Sequence, residues 1–506
     1  MRIALPFILL LSLLLSSCKK FLNIVPDNLP QIENAFTLRQ EAEKYLFTCY
    51  SYLPDDASTV SNPGFLGSDE MTTPLTSRYN DYANNLPRGN QNVTNPYFNY
   101  WDGSGVPSLF KAIRDCNVFI ENMKDMSKVP DIGLDERNRW IGEGMFLKAY
   151  YHFFLLRAYG PIPITDVNVP INAPADQFRV KRNPVDDVVN YIAALYDSAA
   201  TRLPDVIRDR VNELGRVTRP AALAMKARLL VLAASPLFNG NNDYVSFKNK
   251  DGQLLVNTTF DVNKWKRAAA ACKEAITVCE QNGIQLYTFP AQGFALTDTV
   301  MKQNSIRAAV TDESWNSELI WGSAAASTTT LQSVTVAHFN LNYGGSNGAI
   351  ADQGATYKTT QFFYSKNGVP INEDKTLDFT NPAAIRAGTA AEKYNNTQSY
   401  QSARINFDRE NRYYASLGFD GGPWYQLSSL ADQTTLRVES RPDKGSAGTP
   451  LPMTGYFAKK LTNLKFVWSA GNGVTIQRYP WPVMRLTDLY LLYTEALNEA
   501  QGPVDD

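Results

Sequence analysis

Histidine is almost missing from this chain: His152 and His338 are the two copies among 506 residues. With five cysteines, that leaves little material for a His/Cys metal centre or a relay built on imidazole. An excess of one charge is missing too. Lys and Arg number 49 against 50 Asp and Glu, a formal net charge of −1, and no basic stripe interrupts the pattern. This excludes a polyanion binder that works through bulk charge, nucleic-acid proteins among them. A bilayer-spanning run is also lacking: Leu5–Leu15 is strongly apolar, but a crossing takes about 20 residues. What is abundant is apolar and aromatic. Hydrophobic residues make up 44 % and charged ones 20 %, the balance of a globular chain rather than a disordered one. The 25 Phe, 26 Tyr and 8 Trp supply core, and a few of them supply candidates for a binding face. No cofactor is expected. A hydrolase built on paired carboxylates stays open at this point.

The first segment speaks to compartment. Arg2 precedes the Leu5–Leu15 run, which ends in Leu15-Ser16-Ser17-Cys18. Small residues before a cysteine match the bacterial lipobox, so residues 1–17 read as a signal peptide and Cys18 as the acylated first residue of the mature chain. Acylation converts a spanning reading into an anchored one, at about 0.8 kcal/mol per buried methylene. The other four cysteines, Cys49, Cys116, Cys272 and Cys279, fall at apolar helical positions and read as buried thiols. Cys272 and Cys279 share a helix face but lie about 10 Å apart along it, too far to bridge.

Helical periodicity dominates after a tether at residues 18–34. Apolar residues recur at three and four from Leu38 to Leu53, from Leu109 to Met123, from Val185 to Ala199 and from Trp265 to Cys279. Asp135 to Tyr159 is apolar nearly all round, as a central buried helix would be, and stops at Gly160-Pro161. Asn183-Pro184 reads as an N-cap followed by a first-turn proline. Thr218 to Leu237 is rich in Ala and Leu and starts 35 residues after Asn183, close to the 34-residue period of tetratricopeptide helix pairs. Between Glu280 and Pro480 the periodicity fades, and short β-like runs (Glu318 to Trp321, Tyr456 to Lys460) lie among loops. The expected fold class is mainly α: a tetratricopeptide-like helix-pair scaffold over residues 35–280, a large irregular loop-rich subdomain over 281–480 carrying the ligand face, and a return helix of the scaffold within 481–506.

Several stretches together resemble the SusD/RagB family of lipid-anchored nutrient-binding proteins of the Bacteroidetes. They are Cys18-Lys19-Lys20-Phe21-Leu22-Asn23; Gly142-Glu143-Gly144 running to Tyr159-Gly160-Pro161-Ile162-Pro163; Arg219-Pro220-Ala221-Ala222 running to Ser235-Pro236-Leu237-Phe238-Asn239-Gly240; and Pro482-Val483-Met484-Arg485-Leu486-Thr487-Asp488 to Glu495-Ala496-Leu497-Asn498-Glu499. The resemblance implies a SusD-like fold and a non-catalytic role at the outer membrane. It also implies a SusC-like TonB-dependent transporter as partner and an oligosaccharide, or in some members a peptide, as ligand. Family members continue beyond the last of these helices, so the resemblance also implies a further helical segment after Asp506.

A saccharide offers hydroxyls and flat C–H patches, and sites for it combine exposed rings with hydrogen-bonding side chains. The loops that combine both place the candidates at Tyr100 and Trp101 in Asn95 to Asp102, at Asp69 and Arg78, at Tyr343 in a Gly/Asn-rich loop, and at Trp424 after Gly421-Gly422-Pro423. Trp265, Trp315 and Trp321 read as core, and His152 as a hydrogen-bonded core histidine.

Overall fold

The computed structural model describes residues 32–73, 85–292, 295–337, 339, 349–426, 436–440, 454–469 and 473–503. Cys18 and its tether through residue 31, Arg78, His338 and Tyr343 lie outside the described residues.

The scaffold is a series of antiparallel helices: α1 Arg39–Ser51, α2 Pro63–Gly67, α3 Leu109–Lys124, α4 Leu134–Tyr159, α5 Val185–Ala200, α6 Arg219–Ala234 and α7 Val262–Gln281. Beginning at α3, each long helix packs on the next, and α1 lies across α3 and α4. Their boundaries follow local chemistry. Ser108, Thr218 and Asp261 cap α3, α6 and α7 by accepting first-turn amides. Pro184 is itself the N-cap of α5 rather than its first helical residue, while the Asn183 side chain accepts from Ile164 N at 2.9 Å and so fixes the preceding loop. Helices α5 and α6 start 34 residues apart, 219 − 185, as in a helix-pair repeat. Helix α4 is buried almost continuously from Trp140 to Leu156. Glycines on it permit close approach, since a Cβ at Gly144 would meet Ile120 Cγ1 at 3.0 Å and Phe119 Cδ1 at 3.1 Å.

The loop-rich part holds α8 Asp298–Thr311, α9 Thr328–Thr335, α10 Tyr357–Phe362 and α11 Asn411–Ser416. The strands among the described residues form two-stranded antiparallel ribbons: β1 Met71–Thr72 with β3 Gly354–Ala355, β2 Leu319–Ser323 with β10 Trp481–Arg485, β4 Ile385–Ala387 with β5 Gln401–Ala403, β6 Pro423–Trp424 with β7 Leu436–Arg437, and β8 Val467–Ser469 with β9 Gly473–Thr475. The 281–480 stretch therefore contains a 14-residue helix, α8, that periodicity did not reveal. Its buried side includes Gln303, Asn304, Arg307 and Thr311, so no apolar stripe marks it. The expected strand at Tyr456 to Lys460 is not formed: Phe457 makes single bridges to Gly354 and Gly418, and a 3₁₀ turn follows over Lys459–Leu461. Strand β10 leads directly into α12 Leu486–Gln501, which packs on α7 and α6 and returns the chain to the scaffold. Buried Glu318 fastens that return, accepting from Arg485 Nη1 at 2.8 Å, Thr487 Oγ1 at 2.5 Å and Tyr287 N at 3.0 Å.

A buried ion pair organises the scaffold. Glu143 on α4 is fully buried and accepts from Arg216 Nη2 at 2.9 Å and Nε at 3.0 Å. Tyr50 on α1 donates to Glu143 Oε2 at 2.8 Å and accepts from Val217 N at 3.1 Å. All four cysteines among the described residues are free and buried. His152 is buried, with Nδ1 2.8 Å from Lys148 O and Nε2 accepting from Thr165 N at 3.3 Å. Burial pushes its pKa down to about 4, so it is a neutral core residue. Among the described residues no helix is long and apolar enough to cross a membrane.

Removing one member of a buried, hydrogen-bonded pair leaves the other charge uncompensated. Glu143→Gln is expected to lower unfolding free energy by about 3 kcal/mol, read as a fall in urea midpoint at constant slope. An unchanged midpoint would show that the pair does not hold α4 to the segment that leads into α6.

Candidate functional site

Tyr100 and Trp101 sit on a turn that their neighbours force. Gly103 adopts φ +98°, and a Cβ there would lie 2.9 Å from Ser108 Cβ, so only glycine fits. Its amide donates to Asn99 O at 2.7 Å, and Leu109 N donates to Tyr100 O at 2.8 Å, which joins the turn to the start of α3. Tyr100 then points inward: it is buried, its ring centroid is 4.7 Å from that of Phe154, and its hydroxyl donates to Ser61 O at 3.2 Å. Trp101 points outward and is 39 % exposed. Phe110 and Tyr159 support it edge-on, at centroid distances of 4.7 and 5.5 Å. The two neighbours in sequence thus point apart, Tyr100 inward into a cavity wall and Trp101 to the surface beside Tyr159.

The wall belongs to a cavity of about 620 Å³ where the end of α4 meets α6, β10, α2 and the Tyr100 turn. Phe98, Tyr100, Phe154, Leu86 and Trp481 make it largely apolar, and Asp56, Arg157 and Arg228 bring charge to it. Trp481 is braced by Phe65, edge to face at 5.8 Å. Arg157, in the last turn of α4, lies over the Phe154 ring with its guanidinium carbon 4.6 Å from the centroid. Arg228 on α6 donates one N–H to Val483 O at 2.9 Å, and burial lowers its pKa. Asp56 forms an ion pair with neither arginine. Burial raises its pKa, while the fields of Arg157 and Arg228 work the other way. Tyr159 leaves its buried hydroxyl without a hydrogen-bond partner among the described residues, whereas the amide side chains are committed. Asn62 accepts from Gly64 N at 2.7 Å and donates to Asp56 O at 2.5 Å; Gln91 accepts from Tyr97 N at 2.8 Å and donates to Phe98 O at 3.2 Å.

A second cavity, about 390 Å³, opens between α5, α6 and α7, lined by Asp197, Asp205, Arg219 and Glu274. Its charges are already paired: Arg219 with Asp205 at 3.4 Å, and Lys226 with Asp197 at 2.6 Å and Glu274 at 3.5 Å. Among the described residues no group of three His, Cys, Asp or Glu is placed to hold a metal ion.

Of the expected site residues, Tyr100 lines the first cavity, and Trp101 lies next to it, its ring against that of the lining residue Tyr159. Asp69 does not: it is exposed and pairs with Lys358 at 2.9 Å, a surface contact worth about 0–1 kcal/mol. Trp424 is fully buried, with Arg307 4.9 Å above its ring and Phe339 5.8 Å from it. Its expected exposure is corrected: Gly421 and Gly422 allow close packing there, not an open loop. A Cβ at Gly421 would stand 2.6 Å from Tyr400 Cδ1. Arg78 and Tyr343 lie outside the described residues. Trp265 and Trp321 are core, whereas Trp315 is half-buried. Asp56, Arg157 and Arg228 escaped sequence reasoning. The available signal was a lone arginine interrupting each of two otherwise apolar helix faces.

The comparisons with known proteins divide the chain in two. A family profile described as the SusD family matches residues 317–505, and one described as starch-binding, associating with the outer membrane, matches residues 21–231. Among solved structures, the protein BT4246 is 26 % identical, with a TM-score of 0.72, over 92 % of this chain and 80 % of that one. A SusD-like protein of Bacteroides fragilis, BF3747, is 17 % identical with a TM-score of 0.62, over 92 % of this chain and 76 % of its own. A SusD-like carbohydrate-binding protein of the same species, BF0978, is 16 % identical with a TM-score of 0.56, over 93 % and 76 %. These last two share the fold. No curated protein sequence matches the chain.

The electrostatics of Asp56 give a test with a definite sign. A carboxyl whose folded pKa is raised costs stability above that pKa, and the cost disappears once it binds a proton. Asp56→Asn is therefore expected to raise Tm at neutral pH, with the gain shrinking as pH falls through the carboxylate range. A lower Tm at neutral pH, or a pH-independent difference, would contradict the burial argument.

Proposed function

The chain belongs to the SusD/RagB family, whose members are binding proteins associated with the outer membrane, and from that premise we propose that it captures an oligosaccharide and passes it to a SusC-like TonB-dependent transporter. Cys18, acylated, would hold it at the outer membrane, facing the cell exterior. The observation that carries the reading is the cavity at the end of α4. Its volume of about 620 Å³ falls in the range of small-ligand sites, about 300–1,000 Å³. Its walls are aromatic and its polar groups few, and Trp101, packed on the lining residue Tyr159, keeps exposed ring surface beside it.

Work at such a site is equilibrium capture. Apolar C–H faces of a sugar stack on the exposed indole, and guanidinium groups orient the polar edge. No bond needs to be made or broken. Glycoside hydrolysis uses two carboxylates flanking one bond, and Asp56 is the sole carboxylate among the described lining residues. A carrier that must release its cargo to a barrel gains from moderate affinity rather than tight binding.

The test uses the chain from residue 19 onward on an array of glycans with peptide controls, followed by calorimetry on the retained ligands. Oligosaccharide binding is expected, and Trp101→Ala is expected to weaken it about tenfold, on the order of 1.4 kcal/mol. Sustained release of reducing ends from a bound glycan would refute a purely binding role. Failure of every glycan and peptide to bind would leave a scaffold that contacts proteins alone.

A further inference from the structure

We propose that the saccharide taken by this cavity is an acidic one, whose anionic group sits between Arg157 and Arg228. The inference rests on the oligosaccharide reading above and narrows it to a ligand class.

The argument is one of uncommitted charge. Two guanidiniums and one carboxylate line the cavity, an excess of one positive charge in a largely apolar enclosure. Arg157 makes no ion pair and no hydrogen bond among the described residues, and its position is held by stacking on Phe154, 4.6 Å away, and more loosely on Phe153, 5.9 Å away. A ring under a guanidinium fixes its plane without using its N–H groups. Arg228 gives one N–H to Val483 O, and its remaining donors have no partner among the described residues. The neutral polar side chains of the wall, Asn62 and Gln91, have their hydrogen bonds made within the protein. The donors left for a ligand are thus the Tyr159 hydroxyl, which has no partner among the described residues, and the two guanidiniums, whose forked N–H groups can take an oxyanion through two parallel bonds.

The arrangement also carries a conflict that a purely structural role does not explain. Burial is the main cause that lowers the pKa of Arg228; the field of Asp488 works the other way, and that of Arg157, a like charge across the cavity, adds to the lowering. A helix-terminal arginine ordinarily donates to the last carbonyls of its helix, yet Arg157 does not. Arg228 lies in the interior of α6, away from either end. Asp56 pairs directly with neither cation and Asp488 acts on Arg228 only through its field, so the second guanidinium, Arg157, keeps its N–H groups for an incoming anion. A neutral glycan would leave that second guanidinium partly desolvated and unpaired, which is unfavourable.

The test compares trigalacturonate and sialyllactose, each beside its methyl ester, by calorimetry on the chain from residue 19 onward, together with an array that mixes neutral, carboxylated and sulfated glycans. Retained glycans are expected to be acidic, esterification is expected to weaken binding at least about tenfold, and Arg157→Gln is expected to abolish the preference for acid over ester. Because Arg157 is exposed at the cavity mouth, that variant is expected to keep the wild-type Tm; Arg228→Gln serves as the second variant. Four results would overturn the proposal. Binding confined to neutral glycans would do so and leave the general reading standing. Equal affinity for acid and ester, or a preference untouched in Arg157→Gln, would also do so. Binding only to a peptide with a free C-terminal carboxylate, lost on amidation, would overturn both the acidic saccharide and the oligosaccharide reading. Sulfated glycans retained in place of carboxylated ones, with the same Arg157 dependence, would support an anion of that source.

Discussion

The buried Glu143–Arg216 pair is the constraint on which the rest of the scaffold depends. Its two members come from distant parts of the chain, and the carboxylate is fully buried. Ions in such a place are tolerated only when nearly every lone pair and N–H finds a partner. Arg139, Tyr50 and Arg216 supply those partners around Glu143, and Glu43 and Glu213 take further contacts with Arg216. Rotating α4 by one residue, about 100°, would strip Glu143 of all of them at once. The pair therefore sets the rotation of α4 as well as its depth. Since α4 is continuous from Leu134 to Tyr159, that register is transmitted about 21 Å along the helix to Phe154, Arg157 and Tyr159. The cavity wall inherits its geometry from an ion pair that does not touch it.

A second buried cation organises the loop-rich half by a different route. Arg307 on α8 is fully buried and donates to the carbonyls of Thr462, Tyr425 and Asn463, with Trp424 against its face. Burial pushes its pKa down to about 9, so it remains largely protonated at neutral pH. One guanidinium thus gathers carbonyls from two loops that have no sheet to pair with. Irregular backbone needs hydrogen-bond partners as much as regular backbone does. Arg409 does the same elsewhere, donating to Ile405, Thr360 and Phe363 carbonyls. These side chains stand in for the ladders that short ribbons cannot provide.

This explains what was legible in the sequence. Helices α3, α4, α5, α6 and α7 bury apolar stripes, so their spacing at three and four announces them within a few residues. Helix α8 was hidden because Gln303, Asn304, Arg307 and Thr311 lie on its buried side, and no hydropathy pattern distinguishes a buried polar face from an exposed one. The same ambiguity misplaced Trp424, whose glycine-rich neighbours read as an open loop but serve close packing. At the site, Tyr100 and Trp101 were legible as ring-bearing turn residues. Asp56, Arg157 and Arg228 were not, because their meeting depends on long-range packing of α4 against α6 and β10. Spacing along the chain carries no trace of such a meeting.

The location of the cavity follows from the same packing. Helix α4 ends at Gly160, which takes φ +71° and lets the chain leave the helix abruptly. Past that end the chain turns away, and the space beside the last turn of α4 is lined by α6, α2 and the Tyr100 turn. Strand β10 closes one side of it, and β10 is held there by its pairing with β2 and by the bond from Arg228 to Val483 O. The Tyr100 turn closes another side through its hold on the start of α3. Each wall is therefore anchored to a different part of the scaffold, and the cavity needs no rearrangement of the core to exist before ligand arrives. A preformed enclosure reduces the ordering cost of binding. Its two arginines, fixed by ring stacking and by a carbonyl rather than by carboxylates, are the part of that preorganisation most specific in its chemistry.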